Sequence, residues 1–381
     1  MNAVTTIPNA DLEIIEGNKC RWSDADHRRY GWHQLHELVR YSASLRAART
    51  LPLEKRMDLA IAELNDVQHL TSLPWFSAMV VIRGQHVLFE RYATDFGTDR
   101  SHSIQSISKT LMHLVMGKLV EEGVIELSRH VADYVPEIGS GYACASVQEV
   151  LNMDVINDYS EDFGDPQATY YRHEAAMGWR LPGDPAGPQT EQSFLRTVTS
   201  SDTANRTGQI QYKDANTSLL GWIAERASGR PLRAFLADIV DASGIEGVFH
   251  ITTDREGFPN VEGGVCVTAR DLARYLSIFV RGGRGVNGER AGSQAFLEQA
   301  LASGVPMPPP FEGIRYSNHL MVRGRSVGHG GWGGQYAMAN LDTGVVGVFF
   351  SVLENEHAIN RDYLGPVIRM LDSVTSMKFV G

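Results

Sequence analysis

Cysteine is scarce in this sequence, and long apolar runs and an excess of basic residues are lacking. The 381 residues include only Cys20, Cys144 and Cys266, at spacings that fit neither a metal site nor a disulfide framework. The longest apolar stretch, Val345 to Leu353, is far shorter than the roughly 20 residues that span a bilayer. The formal charge of -10 argues against a nucleic-acid or anionic membrane surface, since both select for clustered Lys and Arg.

The first residues also lack the features of a secretory signal. No basic region precedes an apolar run in Met1 to Pro8, and Asp11, Glu13 and Glu16 follow soon after. With so few cysteines, this predicts a cytoplasmic protein without disulfides. A composition of 43% hydrophobic and 21% charged residues is typical of a globular protein, and the length suits one large domain or two ordinary ones.

Strand patterns lie at both ends of the chain, and helical patterns lie between them. Two early strands, 79–82 and 87–92, flank a turn, and three late strands are predicted at 319–322, 336–340 and 345–352. This order favours an α/β fold in which one sheet is built from N- and C-terminal parts and a mainly helical region is inserted between them.

On the same grounds the chain divides into a lead-in segment packed on the main domain, an α/β domain in two parts, and the inserted region. Their bounds are 1–65, 66–130 with 258–381, and 131–257. A helix is predicted in the lead-in segment from Leu53 to Leu64, with Met57 and Leu59 among its inward-facing residues. A functional site is expected at the seam between the regions.

Ser106 and Lys109 lie three residues apart where a polar loop runs into an apolar periodic segment. If a helix begins there, both side chains lie on one face, and the lysine can help to remove the serine proton. The helix start also offers free N–H groups to a developing oxyanion. A plain helix cap at Ser103 or Ser106 explains the same residues, so the motif alone does not decide.

Tyr212 stands just before an apolar helical pattern, Leu219 to Ala227. It can serve as a general acid or base if an ammonium such as Lys109 stabilises its phenolate and lowers its pKa. A tyrosine packed at a helix entrance is the more common role of this residue.

A glycine-dense segment around His329, Gly330, Gly331 and Trp332 precedes a predicted strand. Its backbone can approach a ligand closely and present N–H groups to an anion, which His329 would polarise or orient. Glycine-rich turns before strands are also frequent as plain structure.

The long segment 154–188 has no strong periodicity and is rich in Asp, Gly, Pro and aromatic residues. Phe163 and Trp179 are among the aromatic residues that indicate a functional loop rather than a disordered one. Solvated charge is the default explanation for its acidic residues. Glu174 is a candidate for a carboxylate that reaches toward a cationic substrate.

Taken in order, the S-x-x-K pair, the tyrosine and the glycine segment with histidine resemble the serine hydrolases of the β-lactamase and penicillin-recognising superfamily. Within it the chain looks most like class C β-lactamase-type esterases and the 6-aminohexanoate-dimer hydrolases. The likeness covers most of the chain, in five segments: Ser106 to Lys109, Asp158 to Asp162, Ala176 to Arg180, Tyr212 to Gly221, and Gly264 to Ala273. The resemblance implies a β-lactamase-like fold with an antiparallel sheet flanked by helices.

The resemblance implies that Ser106 is the acyl-accepting nucleophile, Lys109 its proton partner and Tyr212 the second member of the proton relay. It also implies that the amide of the nucleophile and one amide beside the glycine segment hold the oxyanion. The repeated glycines leave open whether the second amide is near Gly328 or near Trp332.

Three sites depart from the family's pattern, and a fourth retains it. His329, Gly330 and Gly331 replace the Lys-Thr-Gly of β-lactamases, which argues against a dedicated β-lactamase. Asp214 replaces an asparagine and would add charge beside Lys109. Phe163 replaces a tyrosine of the nylon-oligomer hydrolases and removes its hydroxyl, whereas the acid at Glu174 is retained in kind.

The sequence therefore predicts a serine hydrolase that cleaves a small carboxylic ester, and less readily an amide, without a cofactor. Acyl transfer to an alcohol or amine at the same site is an alternative within enzymes. An alternative of another class is a non-catalytic binding protein on a penicillin-recognising scaffold. The expected partner is a small ester or amide rather than nucleic acid or membrane, and the sequence carries no indication of oligomeric state.

Overall fold

A computed structural model describes residues 21–181, 183 and 186–378 of the protein. The predictions that concern the N-terminal signal and Cys20 lie outside these residues. Within them, no helix is long and apolar enough to cross a bilayer.

Thirteen strands in the described residues form two sheets. Their bounds are β1 (Ser42–Leu45), β2 (Glu54–Lys55), β3 (Phe76–Arg83), β4 (His86–Tyr92), β5 (His102–Ser103), β6 (Phe249–Thr252), β7 (Val265–Val267), β8 (Val305–Pro306), β9 (Arg315–Ser317), β10 (Leu320–Arg323), β11 (Ser326–Gly331), β12 (Gln335–Asn340) and β13 (Val345–Ser351). The nine-stranded sheet has the order β2-β4-β3-β13-β12-β11-β10-β9-β8, and the four-stranded sheet the order β1-β6-β7-β5. Neighbouring strands are antiparallel except β2 and β4, which are parallel.

The centre of the large sheet joins the two ends of the chain. On one side β3 pairs with β4 through a hairpin turn in which Gly84 has a φ of 57°, a conformation that favours glycine. On its other side β3 pairs with β13, with Val80 opposite Val348. The predicted α/β fold and its antiparallel sheet of N- and C-terminal strands are confirmed.

Helices cover both sheets and fill the region between the early and late strands. Their bounds are α1 (Arg28–His33), α2 (Leu35–Leu38), α3 (Leu59–Ala62), α4 (Asn65–Leu70), α5 (Thr110–Glu121), α6 (Val131–Tyr134), α7 (Ser140–Ala143), α8 (Val147–Leu151), α9 (Thr169–Ala176), α10 (Glu191–Leu195), α11 (Asp214–Ser228), α12 (Leu232–Ser243), α13 (Ala269–Val280), α14 (Gln294–Ala302) and α15 (Arg361–Thr375). The long helix α11 ends where Gly229 adopts a φ of 67°.

Both faces of the large sheet are buried. Along β3, Val80 and Ile82 belong to one hydrophobic cluster, whereas Met79 and Val81 belong to the other. Helices α5 and α13 contribute to the first cluster and α15 to the second. Because each fully buried Val or Ile stabilises the fold by about 1.5–3 kcal/mol, this double-sided core is a firm base for the residues at its edge.

The predicted helix from Leu53 to Leu64 is wrong. This segment forms β2 and the four-residue α3, and Met57 and Leu59 are exposed rather than turned inward. Asp58 is the N-cap of α3, since its side chain accepts a hydrogen bond from the amide of Ala60, so the helix starts only after that residue. Apolar periodicity over so short a window does not separate a strand from a helix.

The inserted region holds more regular structure than its sequence pattern indicates. Helix α9 lies inside the long segment for which no element was predicted. The glycine-dense segment also differs, because residues 326–331 are strand β11 and only residues 332–334 form a turn. His329 therefore lies within the sheet and not in the turn. The domain bounds given above stay a prediction.

Candidate active site

Ser106 lies in a short 3-10 helix, Gln105–Lys109, between β5 and α5. Gln105 has a φ of 48°, a left-handed conformation that is uncommon for a residue with a side chain and stores backbone strain. The Gln105 side-chain amide donates to Ser103 Oγ at 2.8 Å and holds this turn. As a result Ser106 is partly exposed, while its neighbours Gln105 and Lys109 are buried.

The buried Lys109 connects three elements of the fold. Its Nζ lies 2.9 Å from Ser106 Oγ, 2.5 Å from Asp214 Oδ1 and 2.7 Å from the main-chain oxygen of Glu262. A carboxylate and a carbonyl oxygen only accept hydrogen bonds, so Asp214 and Glu262 take two N–H groups of the lysine. The remaining side of Nζ faces Ser106 Oγ.

Asp214 is the first residue of α11, and its main-chain N–H donates to Glu161 Oε1 at 2.5 Å. Glu161 comes from the acidic segment for which solvated charge was the default explanation. Burial raises the pKa of Glu161 to about 8; the charge of Asp214 adds to this rise and that of Lys109 opposes it. Glu161 is therefore mostly protonated at neutral pH, and the site carries less negative charge than its acidic residues indicate.

Tyr212 borders the same lysine, with Lys109 Nζ 5.1 Å from the centre of its ring. Burial raises the pKa of Tyr212 well above its usual value, and the charges of Asp214 and Glu161 raise it further. A hydrogen bond with Ser106 acts in the opposite direction. Tyr212 is thus a phenol at neutral pH, and the expected lowering of its pKa by a nearby ammonium is wrong.

His329 is fully buried in β11, and its ring centre lies 6.1 Å from that of Tyr212. Its Nδ1–H donates to the main-chain oxygen of Gly330 at 2.6 Å. Burial, with the charge of Lys109, lowers the pKa of His329 to about 3, so the ring is neutral. Its Nε2, which has no partner among the described residues, is then an acceptor, and this arrangement does not favour binding an anion through His329.

The end of β11 packs directly against the backbone that leads into Ser106. A Cβ atom added to Gly331 would lie only 2.6 Å from the main-chain oxygen of Ile104, so a side chain would push the two segments apart. The Gly330 amide donates to Met321 Sδ at 3.3 Å. Within the described residues, the backbone amides of Ser106 and Trp332 have no hydrogen-bond acceptor.

Aromatic residues form a wall beside this turn. The Trp332 ring stacks on Phe163, with ring centres 5.5 Å apart and planes 16° apart, and Trp22 packs edge-on against both Trp332 and Trp179. Phe163 and Trp179 line a cavity of about 800 Å³, together with Trp22 and Arg180. The indole nitrogen of Trp179 donates to Thr252 Oγ1 at 2.8 Å, so Trp179 offers the cavity its ring and not its N–H group.

Glu174 lies in α9 and is buried, with its side chain 3% exposed. Its Oε2 accepts a hydrogen bond from Arg180 Nε at 2.9 Å. The Arg180 guanidinium also lies 4.5 Å from the ring centre of Tyr171, at the cavity wall. The carboxylate predicted to reach a cationic substrate therefore already has a cationic partner.

The structure brings Ser106, Lys109, Tyr212 and Asp214 into one group, and places Phe163 and Trp332 in the wall beside it. Trp179 lines the same cavity as Phe163 and packs beside Gly263, and Glu174 is paired with Arg180. Sequence reasoning missed the contacts of Glu161 with Asp214 and of Glu262 with Lys109. Glu262 stands before Gly263 and Gly264, but nothing in that pattern marks a residue whose main-chain oxygen contacts a lysine 153 positions away.

The described residues contain no group of three or more His, Cys, Asp or Glu side chains arranged to hold a metal ion. The polar groups around Ser106 are instead a lysine, a tyrosine and backbone amides, which are suited to proton transfer and to binding an oxyanion.

Known proteins are similar to this chain over most of its length. The β-lactamase family model matches residues 67–364. A 6-aminohexanoate-dimer hydrolase from Paenarthrobacter ureafaciens is 37% identical over 290 residues, which are 74% of this chain and 72% of that protein.

Two solved structures share the fold. A protein from Bacillus anthracis that is proposed to be a 6-aminohexanoate-dimer hydrolase superposes with a TM-score of 0.79 at 20% identity, over 94% of this chain and 96% of the other. EstCE1, a hydrolase with promiscuous acyltransferase activity, gives a TM-score of 0.61 at 14% identity, over 84% of this chain and 100% of the other. At such identities these two likenesses show the fold alone.

Proposed function

The chain belongs to the β-lactamase family and is a hydrolase, and we propose that it cleaves small carboxylic esters through an acyl-enzyme on Ser106. The observation that carries this proposal is the 2.9 Å contact between Lys109 Nζ and Ser106 Oγ. A serine hydroxyl is a weak nucleophile and needs a proton acceptor at this distance. The reaction needs no cofactor, and the partner is a small-molecule ester or amide.

In the first step Lys109 acts as a neutral amine. Its two N–H groups bind Asp214 Oδ1 and Glu262 O, which directs the lone pair toward Ser106. The amine takes the hydroxyl proton as Ser106 Oγ attacks the carbonyl carbon. This role depends on the orientation of Nζ. If the amine rotated about the Cε–Nζ bond, an N–H group would face Ser106 in place of the lone pair.

In the second step the Tyr212 phenol protonates the leaving oxygen as the bond from the acyl carbon to that oxygen breaks. The Lys109 ammonium then returns a proton to the phenolate. Water attacks the acyl carbon, gives its proton to the same pair and releases the acid and free Ser106. The raised pKa of Tyr212 supports this role, because it keeps the phenolic proton available at neutral pH.

The oxyanion would be held by the amides of Ser106 and Trp332. Both lack another acceptor among the described residues, and both border the close approach of Gly331 to Ile104. Gly328 is a poorer candidate than Trp332, because it lies in the β-ladder opposite Met338 and Met321. Removal of one such donor typically costs about 100- to 1,000-fold in kcat.

Two features of the residues beside Ser106 and around the cavity support neutral esters as substrates. Phe163 has no hydroxyl to bind near a scissile amide, and it presents a ring face instead. Glu174 is paired with Arg180 and is therefore poorly placed to bind a substrate ammonium. Tyr171, Trp22 and Trp179 give the cavity apolar surfaces that suit an acyl or alkoxy group.

A second candidate substrate class is the linear amides. It is favoured by the identity of 37% with a 6-aminohexanoate-dimer hydrolase over 74% of the chain. The same nucleophile and proton relay would serve both reactions, with Tyr212 protonating a leaving nitrogen rather than an oxygen.

The test is hydrolysis of p-nitrophenyl butyrate, with intact-mass detection of a butyryl group on the protein and labelling by a fluorophosphonate. We expect turnover, a transient adduct on Ser106, and a loss of about 1,000-fold or more in kcat for Ser106→Ala. The exposed Ser128→Ala variant is the matched control and should retain full activity. No turnover and no adduct would favour the non-catalytic binding protein, and an active Ser106→Ala variant would exclude this nucleophile.

Added alcohol separates hydrolysis from acyl transfer on the same preparation. If the enzyme is a hydrolase, the acid should remain the main product in the presence of methanol, whereas an acyltransferase would form mostly the methyl ester. Side-by-side rates on p-nitrophenyl esters, linear amides and a cephalosporin would then rank the substrate classes.

A further inference from the structure

Two glutamate side chains behind Lys109 are completely buried and have no lysine or arginine partner. Glu191 begins α10 and Glu262 precedes β7, and both have a relative exposure of 0%. Within the described residues, neither forms an ion pair with Lys or Arg. Both oxygens of Glu191 and Oε1 of Glu262 lack a hydrogen-bond partner there. Burying an ionised carboxylate without a partner costs free energy, so the neutral form of these two side chains is favoured.

Ser218 and His173 connect the two carboxyls. Ser218 Oγ donates to Glu262 Oε2 at 3.2 Å and lies 3.4 Å from His173 Nε2. His173 Nε2 lies 3.6 Å from Glu191 Oε2, and its Nδ1 is 3.1 Å from the hydroxyl of Tyr159. Ser218 stands one turn after Asp214 on α11, so a single helix carries one residue of this group and one residue of the candidate site.

The charges around the pair leave little to stabilise two carboxylates. The charged groups that act on it are Lys109, Asp214 and Asp254, and an interaction with Ser218 opposes the rise in the pKa of Glu191. Lys109 is already in contact with Asp214, and both aspartates repel further negative charge. Burial lowers the pKa of His173 to about 4, so the imidazole is neutral and supplies no compensating charge. Burial likewise raises the pKa values of Glu191 and Glu262 well above the usual range, as expected for neighbouring acids in a dry site.

The link to the reaction is the backbone of Glu262. Its main-chain oxygen accepts a hydrogen bond from Lys109 Nζ at 2.7 Å, and its side chain is tied to Ser218. The same oxygen fixes one of the two N–H groups that turn the lysine lone pair toward Ser106. A shift of Glu262 would therefore rotate Lys109, although Glu262 touches neither substrate nor Ser106.

We propose that Glu262 is a positioning residue: as a protonated acid held by Ser218 beside Glu191, it anchors the carbonyl that orients Lys109 toward Ser106. This inference rests on the proposed function. It predicts a neutral side chain at residue 262 whose hydrogen bonding, and not its charge, matters to the reaction.

The test compares Glu262→Gln with Glu262→Ala in the full-length protein, using p-nitrophenyl butyrate. Glutamine keeps the size, neutrality and acceptor oxygen, so we expect kcat within about threefold of wild type and an unchanged acid limb of the pH profile. Alanine removes the anchor, and we expect kcat to fall at least about tenfold with KM within about twofold. A tenfold change corresponds to about 1.4 kcal/mol. Glu225→Gln, on the helix α11 that carries Ser218, is the matched control, with no expected change.

The pH profile separates this role from a charged one. If Glu262 were ionised, glutamine would remove a negative charge from the site, and the acid limb of the pH profile would move to lower pH. Folding is monitored by the unfolding midpoint, and active sites are counted with the fluorophosphonate, so a loss through misfolding is corrected for.

The outcomes distinguish this inference from the proposed function. Wild type without turnover, or an active Ser106→Ala variant, overturns the proposed function. Active wild type with an equally active Glu262→Ala variant overturns the positioning role, and so does a Glu262→Gln variant that is as impaired as Glu262→Ala or has a shifted acid limb.

Discussion

Two neighbouring surfaces of this protein differ in how they are built. We call the proposed catalytic residues Ser106, Lys109, Tyr212 and Asp214 the catalytic face. The pocket face consists of residues that line the neighbouring cavity: Trp22, Phe163, Tyr171, Trp179 and Arg180. The first is held by a 3-10 helix, the start of α11 and the main-chain oxygen of Glu262. The second comes from connecting segments, from α9 and from the chain before α1. Phe163 of the pocket face stacks on Trp332, whose main-chain amide is the proposed oxyanion donor beside Ser106.

Under the proposed function, separate parts of the chain would therefore carry the reaction and the choice of substrate. Changes on the catalytic face should alter kcat for all substrates alike, because they alter proton transfer. Changes on the pocket face should alter the ratio between substrates and leave the relay intact.

The largest effect is expected on the catalytic face. Lys109→Met keeps the length of the side chain but removes the proton acceptor, and we expect kcat to fall about 1,000-fold for esters and amides alike. Steady-state rates on both substrate classes measure this. A loss confined to one class would break the proposed separation, and activity like that of wild type would exclude Lys109 as the base.

On the pocket face, Arg180→Gln releases Glu174 from its cationic partner. We expect kcat/KM for a p-nitrophenyl ester with a terminal ammonium to rise about tenfold relative to a neutral ester of equal length, or about 1.4 kcal/mol. Arg180→Gln combined with Glu174→Gln is the control and should cancel the gain. A gain that survives in the double variant would mean that Glu174 does not bind the ammonium.

A smaller effect is expected from Phe163→Tyr. The new hydroxyl can donate a hydrogen bond near the scissile group, and a neutral hydrogen bond contributes about 0.5–1.5 kcal/mol. We expect the ratio of amide to ester kcat/KM to rise a few-fold. Trp179→Phe is the comparison variant, since it alters the same cavity without adding a hydroxyl. An equal rise in that variant would show a general change of the cavity instead.

The smallest effect is on stability and belongs to the contact between Glu161 and Asp214. The folded protein raises the pKa of Glu161 to about 8, so the folded state binds more protons than the unfolded state between about pH 4.5 and 8. Stability should therefore fall as pH rises through this range. In Glu161→Gln we expect the decline of the unfolding midpoint from pH 5 to pH 8 to be smaller than in wild type by about 2 °C. Scanning calorimetry at both pH values measures it, and an equal decline would contradict a protonated Glu161.

Secondary structure could be predicted from the sequence where a pattern of apolar residues repeats over several turns of a helix. Helix α13, at residues 269–280, has apolar positions that repeat over three turns, which is long enough for the pattern to indicate a helix. The short β2 and α3 were missed, because contacts with β4 and a cap at Asp58 determine them and not periodicity. Helix α9 has a weak pattern because its buried His173 and Glu174 are polar.

The candidate site was only partly predictable from the sequence for a similar reason. Ser106 and Lys109 are one helical turn apart, so spacing alone places them together. The contact of Lys109 with Glu262 and that of Asp214 with Glu161 join residues that are distant in sequence, and no local pattern encodes such contacts. The protonation of Glu161 and Tyr212 depends on burial, which only the folded chain supplies.

The pairing of β3 with β13 sets an order of events during synthesis. Ser106 and Lys109 leave the ribosome early, but the strand that brings the Trp332 amide beside them is joined to β3 only through β12 and β13. Until residues 345–351 emerge, β3 has an apolar edge without a partner, which is a surface that promotes aggregation. Under the proposed mechanism, the nascent chain would therefore stay inactive, and exposed to misassembly, until β13 is in place.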